Sequence, residues 1–341
     1  MPNSIVRIGI VGLGRMGRRH AVNLAHRTPG AQVVAACDPD AASLAWARTT
    51  LGVDKGFRDY GSLLLQGDVD AVWVATPLTE HAQQVIQALD AGKHVFCEKP
   101  LSLEVADCMR VEETAARHPK QKVMIGFVRR FDASYRDAYD RMKAGAIGRP
   151  FLVRSQTADQ HDPSGFFVAF APKSGGIFVD MNVHDIDLAR WYLGAPPVKR
   201  AFAAGTIAIH EGLRECGDVD NGVSIVEFAD GSLANFLASR TFAHGHETLT
   251  EIVGTAGRLT VGQNPRMNRV DIADAHGVRN ECTPTFWERF EDAFANEAAE
   301  FVAAVRDDRP PALTLRDATE ATRIAQMLAE SNRTGRAVEA G

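Results

Sequence analysis

The first 126 residues alternate between short apolar runs and stretches in which apolar residues recur at helical spacing. Apolar runs of this length predict buried strands, and the stretches between them predict helices. The predicted strands are 5–11, 32–37, 71–75, 94–97 and 122–126, and the predicted helices end near residues 26, 91 and 117. Strands separated by helices indicate a parallel sheet with helices on both faces. We therefore predict an α/β domain over residues 1–126.

The pattern changes after residue 126, where strand signals follow one another with hairpin turns such as Asp230-Gly231. The predicted strands are 151–155, 223–228, 233–237, 248–253, 258–261 and 269–272; helices are predicted at 134–144, 287–305 and 315–330, and a polar, aromatic loop at 159–174. Successive hairpins indicate a mainly antiparallel sheet. We predict an α+β domain over residues 127–341, with the last helix free to pack back on the first domain.

Residues 175–194 predict a single helix, because glycines open and close a stretch of helical periodicity. One face of this helix carries Ile177, Asp180, His184, Asp187 and Trp191. A carboxylate one turn from a histidine can orient the ring and raise its basicity, which suits proton transfer. A solvent-exposed helix face, or a core histidine whose hydrogen bonds are all made to neighbouring residues, would give the same pattern.

Composition excludes several classes of function. The net charge of −5 provides no basic surface for nucleic acid or an anionic membrane. No segment approaches the roughly 20 apolar residues that span a bilayer, and the N-terminus lacks the pattern of a signal peptide. The five cysteines are scattered without a C-x-x-C pair, which favours reduced thiols over disulfides or structural zinc. We expect a soluble cytoplasmic protein.

Three glycines follow the first predicted strand with dinucleotide-binding spacing: Gly12, Gly14 and Gly17. In this motif they supply a tight turn, close approach of a pyrophosphate and close helix–strand packing. Asp38 ends the second strand about twenty residues on, where an acid accepts hydrogen bonds from ribose hydroxyls and repels a 2′-phosphate. The motif predicts a Rossmann domain that prefers NAD over NADP, although Asp38 could instead cap a helix.

The order of several short motifs resembles the glucose–fructose oxidoreductase/inositol dehydrogenase (Gfo/Idh/MocA) family, closest to its inositol 2-dehydrogenase branch. These motifs are Gly12-Leu-Gly-Arg-Met-Gly17, Ala75-Thr-Pro77 with His81, Glu98-Lys-Pro100, Gly126-Phe-Val-Arg-Arg-Phe-Asp132 and Asp180-x-x-x-His184-Asp185. The resemblance implies a catalytic set of Lys99, Asp180 and His184. His184 would accept a proton, Asp180 would orient it, and Lys99 would stabilise the alkoxide; in some members the lysine is credited with the proton transfer.

The same resemblance implies two further sets of contacts. Cofactor contacts are expected at Gly12, Gly14, Arg15, Met16, Gly17, Asp38, Thr76, Pro77, His81, Glu98 and Lys99. Substrate contacts are expected at Lys99, Arg129, Thr157, Asp159, Asp180, His184 and Asp187, with Asn182 and His161 weaker candidates. Arg129, Thr157, Asp159 and Asp187 could equally serve in salt bridges or loops. No metal site is predicted: His244-x-His246 lacks a third ligand.

The resemblance implies an oxidoreductase that uses NAD to convert a ring hydroxyl of a small polyhydroxylated substrate, myo- or scyllo-inositol, to a ketone. The aromatic loop at 159–174 departs from the inositol dehydrogenase pattern, so a pyranose dehydrogenase acting on an aldose or anhydrosugar stays open. A non-catalytic sugar- or NAD-sensing regulator is the alternative outside the enzymes. In the family one face of the second sheet serves association, which implies a homo-oligomer, either a dimer or a tetramer.

Overall fold

The computed structural model describes residues 5–341, and no helix in that range is long and apolar enough to cross a membrane. The described chain forms two compact units. The first runs to Phe131 and includes Asp292–Glu320, and the second comprises Asp132–Glu291 and Ala321–Gly341. The segment 292–320 thus groups with the first unit. The domain boundary at residue 126 stays a prediction.

The first unit contains a six-stranded parallel sheet in the order β3-β2-β1-β4-β5-β6. Its strands are β1 Val6–Val11, β2 Ala31–Cys37, β3 Lys55–Phe57, β4 Ala71–Val74, β5 His94–Glu98 and β6 Val123–Gly126. Its helices are α1 Arg15–His26, α2 Ala41–Leu51, α3 Tyr60–Gln66, α4 His81–Asp90 and α5 Val105–Arg117, with 3₁₀ turns at Leu78–Glu80 and Val128–Phe131. The strand order reverses between β1 and β4, where doubly wound sheets bind ligands. The Rossmann prediction is confirmed.

The second unit is built on a seven-stranded sheet in the order β12-β11-β7-β10-β9-β8-β15. The remaining elements in chain order are α6 Ala133–Lys143, β7 Pro150–Gln160, α7 Phe166–Ser174, α8 Ile177–Asp180, α9 Asn182–Leu193, β8 Val198–Thr206, a 3₁₀ turn at Glu211–Cys216, β9 Asn221–Phe228, β10 Leu233–Phe242, β11 Glu247–Gly254, β12 Gly257–Val261, β13 Ile272–Asp274, β14 Gly277–Arg279, α10 Phe286–Arg306, α11 Leu315–Thr334 and β15 Val338–Glu339. All neighbouring pairs are antiparallel except β7 with β10. The predicted mainly antiparallel sheet is confirmed.

Three local predictions are wrong. Of the strand predicted over 269–272, only Ile272 lies in a strand, β13. The segment predicted as a loop over 159–174 contains the last residues of β7 and the nine-residue helix α7. The predicted single helix over 175–194 is two helices, α8 and α9, which meet at Met181. Asp180 and Asn182 flank this junction, and short polar side chains of this kind favour helix ends over helix interiors because they form competing hydrogen bonds.

Aromatic packing fills the core of the first unit on one side of the sheet. Trp73 of β4 stacks on Phe96 of β5 with ring centroids 3.6 Å apart, and Phe301 of α10 meets both rings edge-on. Each of these side chains is fully buried. Burial of this much aromatic surface dominates core energetics, so the sheet is a rigid support for the loops at its carboxyl edge.

Candidate active site

The glycine loop between β1 and α1 is shaped by contacts that exclude a side chain. Gly12 has a φ of +86°, and a Cβ there would lie 2.6 Å from the carbonyl oxygen of Ala75, just beyond β4. A Cβ on Gly17 would lie 1.8 Å from the carbonyl oxygen of Gly12. Only glycine fits both positions, so the sequence lays the loop tightly across the carboxyl edge of the sheet.

The start of α1 is suited to an anion. Gly14 precedes the helix without any side-chain cap, no acidic residue lies in the first turn, and a Cβ on Gly14 would meet open space. Exposed Arg15 and half-buried Met16 are the first residues of the helix. Backbone N–H groups and the helix dipole at such an end bind the pyrophosphate of a dinucleotide. These residues therefore fit NAD.

Asp38 is bound to the glycine loop. Its Oδ2 accepts a hydrogen bond from the N–H of Leu13 at 2.7 Å, and its Oδ1 accepts one from the N–H of Asp40 at 2.9 Å. The alternative that Asp38 caps a helix is wrong, because Asp40 is the residue that caps α2. Arg58, which sequence reasoning missed, donates from Nε to the carbonyl oxygen of Pro39 at 3.2 Å. A cation therefore contacts the backbone of the residue that follows Asp38.

Removing the charge of Asp38 should relax cofactor choice. Asp38→Asn keeps an oxygen for Leu13, and we expect the ratio of NADH to NADPH affinity to fall about 10- to 100-fold, because a hydrogen bond to a charged group contributes about 1.5–3 kcal/mol. Adding Arg58→Met to Asp38→Asn should weaken NADPH binding, because it removes the cation available to a 2′-phosphate. The ratio of NADH to NADPH affinity should then rise part of the way back. Fluorescence titration measures both affinities. Asp40→Asn is the charge control, and an equal ratio in Asp38→Asn and wild type would contradict the prediction.

His81 is buried and ties together the ends of two strands. Its Nδ1 lies 2.9 Å from the carbonyl oxygen of Pro100, and its Nε2 lies 3.0 Å from that of Thr76. Burial lowers the pKa of His81, so the neutral ring donates one of these hydrogen bonds at a time. The Thr76 hydroxyl donates to Gln84 at 2.7 Å, and Pro77 is exposed. Direct contact of these residues with the cofactor stays a prediction.

Lys99 follows β5 and is positioned through its backbone by Glu98. Oε2 of Glu98 accepts the N–H of Lys99 at 3.0 Å, and Oε1 lies 2.5 Å from Nε2 of fully buried His20 on α1. Burial alone would raise the pKa of Glu98, but the hydrogen bond and charge of His20, with the charge of Lys99, hold it below its ordinary value. Glu98 is therefore an ionised group inside the first unit.

Asp180 ends α8, and His184 lies in the first turn of α9; both side chains are partly exposed. Asp180 accepts a hydrogen bond at 3.1 Å from Arg240 of β10, whose guanidinium is fully buried. Arg240 also donates to Asp218 at 3.4 Å. An arginine paired with two carboxylates fixes the end of α8, and no motif in the sequence indicated this contact.

Of the remaining predicted substrate residues, Arg129 belongs to the first unit and the others belong to the second unit. The Thr157 hydroxyl donates to buried Asp185 at 2.8 Å, as Ser155 does at 2.7 Å, which joins β7 to α9. Oδ1 of Asp159 lies 2.9 Å from Nδ1 of buried His246. The other candidates divide by burial: Arg129 and Asp187 are 3% and 1% exposed, Asn182 is fully buried, and His161 is half-buried.

Comparison with protein-family models decides the family. Residues 6–127 match an oxidoreductase family with an NAD-binding Rossmann fold, and residues 135–260 match the GFO/IDH/MocA C-terminal domain. The chain belongs to the GFO/IDH/MocA family. The protein is accordingly an NAD-dependent oxidoreductase, in agreement with the glycine loop and with the predicted cofactor and family.

Individual GFO/IDH/MocA relatives resemble the chain along its whole length. A scyllo-inositol 2-dehydrogenase (NAD⁺) of Bacillus subtilis is 35% identical over 98% of this chain and 96% of its own. A myo-inositol 2-dehydrogenase of Thermotoga maritima is 36% identical over 92% of each chain. The crystal structure of scyllo-inositol dehydrogenase from Lactobacillus casei with bound NAD(H) and scyllo-inositol has a TM-score of 0.95 at 36% identity and covers 98% of this chain and 99% of that chain.

Proposed function

We propose that this GFO/IDH/MocA member oxidises a secondary ring hydroxyl of an inositol, scyllo or myo, to a ketone with NAD⁺. The observation that carries the proposal is the 35% identity to a scyllo-inositol 2-dehydrogenase over 98% of the chain. The fold supports it, because the structure with a TM-score of 0.95 contains NAD(H) and scyllo-inositol. Fold alone would not specify the substrate.

The proposed chemistry uses Lys99, Asp180 and His184. The imidazole of His184 takes the hydroxyl proton, and the Asp180 carboxylate stabilises the imidazolium that results. The Lys99 ammonium donates a hydrogen bond to the same oxygen and stabilises the negative charge that develops there. Bound NAD⁺ supplies the hydride acceptor and leaves as NADH, so one alcohol gives one ketone, one NADH and one proton.

The test is NADH formation by the purified protein with NAD⁺ and a panel of scyllo-inositol, myo-inositol, aldoses and anhydrosugars. We expect turnover of at least one inositol with kcat in the ordinary enzyme range of about 1–10³ s⁻¹. Turnover of sugars alone would replace the proposal with a pyranose dehydrogenase. No turnover, with NADH still bound tightly, would replace it with a sensing regulator.

We also propose that the protein acts in the cytoplasm as a homo-oligomer, a dimer or a tetramer, that associates through the open face of the second sheet. Phe202, Val223, Ile225 and Leu233 project from β8, β9 and β10 and are 40–53% exposed. A contiguous apolar surface on a sheet is a typical association surface. The self-complementary contact of two copies would cover it.

A further inference from the structure

A fully buried guanidinium, that of Arg240, pairs with Asp180, one of the three residues of the proposed chemistry. Arg240 is 0% exposed, and its two terminal nitrogens donate to Asp180 at 3.1 Å and to Asp218 at 3.4 Å. Burying such a charge costs several kcal/mol unless carboxylates and hydrogen bonds compensate it. Here two carboxylates meet one cation, so the three side chains together carry a net negative charge.

Two further contacts show that this group is held in place from several sides. Oδ1 of Asp218 accepts the N–H of Ile177, the first residue of α8, at 2.9 Å. The ring of Phe167 on α7 lies under the guanidinium, with its centroid 5.1 Å from Cζ. Asp218 therefore binds the beginning of α8 while Arg240 binds its end, and α7 supplies a cation–π contact.

We propose that Arg240 is a positioning residue for the dehydrogenase reaction, and that it holds the Asp180 carboxylate in the place and charge state that His184 requires. This inference rests on the proposed function. It assigns a task to a residue that lies 60 positions from Asp180 and outside every motif of the sequence.

The excess negative charge explains why the arrangement suits catalysis as well as folding. Ionisable groups close to Asp180 include Arg240 on β10, which pairs with it, and Asp218 ahead of β9, which shares the same guanidinium. His184 follows four residues along the chain, in the first turn of α9. Arg240 compensates part of the charge of the two carboxylates, and the negative charge that is left over would stabilise the imidazolium that forms when His184 takes a proton. Without Arg240, two unshielded carboxylates repel each other, and one of them takes up a proton at a higher pH.

Arg240→Met tests this proposal through a pH profile. We expect kcat with inositol to fall about 10- to 100-fold, because misplacing a reacting group by about 1 Å costs that much. The acidic limb of kcat/KM should move up by about one to three pH units, the effect of losing an opposite charge in contact. Arg240→Lys should restore the position of the limb, and affinity for NADH should stay within about twofold of wild type in both variants.

Arg289→Met is the matched control, because Arg289 also pairs with an aspartate, Asp132 at 2.8 Å, and lies over an aromatic ring, that of Phe290 at 4.6 Å. It should leave the pH profile in place. Arg240→Met with a wild-type profile would overturn the proposal. The proposal would also be overturned if kcat fell equally in Arg240→Met and in the control while the acidic limb stayed in place in both. That result would indicate a structural role for Arg240.

A second readout separates this proposal from the substrate assignment. Carboxyl ¹³C spectra of aspartate-labelled protein, assigned with Asp180→Asn, follow the protonation of Asp180 without any turnover. We expect its titration to move to higher pH in Arg240→Met and to stay near wild type in Arg240→Lys. An unmoved titration would overturn the role of Arg240 even if inositol is the substrate. Should the methionine variant fail to fold, Arg240→Gln, which keeps an N–H donor but removes the charge, should shift both readouts in the same direction as methionine. Unmoved readouts in that variant would overturn the proposal.

Discussion

Replacing His184 with glutamine should lower kcat with inositol about 10²- to 10⁴-fold, the usual contribution of a positioned general base. The amide keeps the approximate size of the imidazole but cannot take a proton at neutral pH. Affinity for NADH should stay within about twofold of wild type, because the glycine loop that we assign to the cofactor belongs to the first unit. Steady-state turnover and fluorescence titration measure the two quantities.

Lys99→Met should reduce kcat to a comparable extent, because it removes the cation that stabilises the oxygen as it loses its proton. The two variants should differ in how their residual turnover depends on pH, because hydroxide can replace a missing base but cannot replace a missing cation. If His184 takes the proton, the residual rate of His184→Gln rises with pH as hydroxide replaces the base, and that of Lys99→Met does not. The reverse pattern would make Lys99 the proton acceptor, and near-normal turnover in both variants would refute the proposed chemistry.

Local sequence located five of the six strands of the first unit, because those strands are specified by patterns that lie close together; the three-residue strand β3 was missed. Glycine is required at positions 12 and 17, since a Cβ at Gly12 would strike the backbone of Ala75 and a Cβ at Gly17 would strike the backbone of Gly12. A strand that is buried on both faces appears in the sequence as a continuous run of apolar residues, as in β4, whose four residues are all buried. Sequence reasoning therefore located the loop and the strand ends correctly.

The aromatic helix α7 was missed because its residues carry little helical periodicity. Phenylalanines stand at 166, 167 and 170, and Pro172 lies inside the helix, where proline is usually a breaker. Phe166 and Phe170 stack with centroids 5.5 Å apart, and Phe167 packs against the ring of His210. Contacts with distant residues thus overrode a weak local preference.

The contacts of Arg240 and Arg58 were invisible for a related reason. Arg240 contacts Asp180 across 60 residues and Asp218 across 22, and Arg58, just after β3, contacts Pro39 across 19. A charged residue near the end of a predicted strand is ordinarily exposed. Only the packing of β10 beneath α8 shows that the Arg240 guanidinium is buried, so its importance follows from the fold rather than from a motif.

Glu297 was missed as well, and it gives the largest expected effect on stability. It lies on α10 between Phe294 and Phe301, two residues that pack on His20 and Trp73, and its side chain is 0% exposed. Among the described residues, neither of its carboxyl oxygens has a hydrogen-bond partner. Burial raises the pKa of Glu297 well above its ordinary value, and the negative charge of Glu98 adds to the shift.

The sign of the resulting pH dependence follows from proton linkage. Above about pH 4.5 the unfolded chain has lost this proton and the folded protein keeps it, so stability falls as pH rises, by at most about 1.4 kcal/mol per pH unit. The loss of stability begins near the ordinary pKa of a glutamate and ends near the raised pKa of Glu297 in the folded protein. Glu297→Gln carries no titrating proton at this position and should escape the loss.

We therefore expect wild type to lose stability relative to Glu297→Gln as pH is raised from about 5 to about 9. The unfolding free energy of the variant minus that of wild type should increase over this range. Urea unfolding at a series of pH values measures it. Glu300→Gln is the control, because Glu300 lies on the same helix but is partly exposed and pairs with Arg309 at 2.7 Å. The stability of Glu300→Gln relative to wild type should not increase as pH is raised. A difference that stays constant with pH for Glu297→Gln would mean that Glu297 is ionised in the folded protein, and that a cation or bound water compensates it beside Glu98.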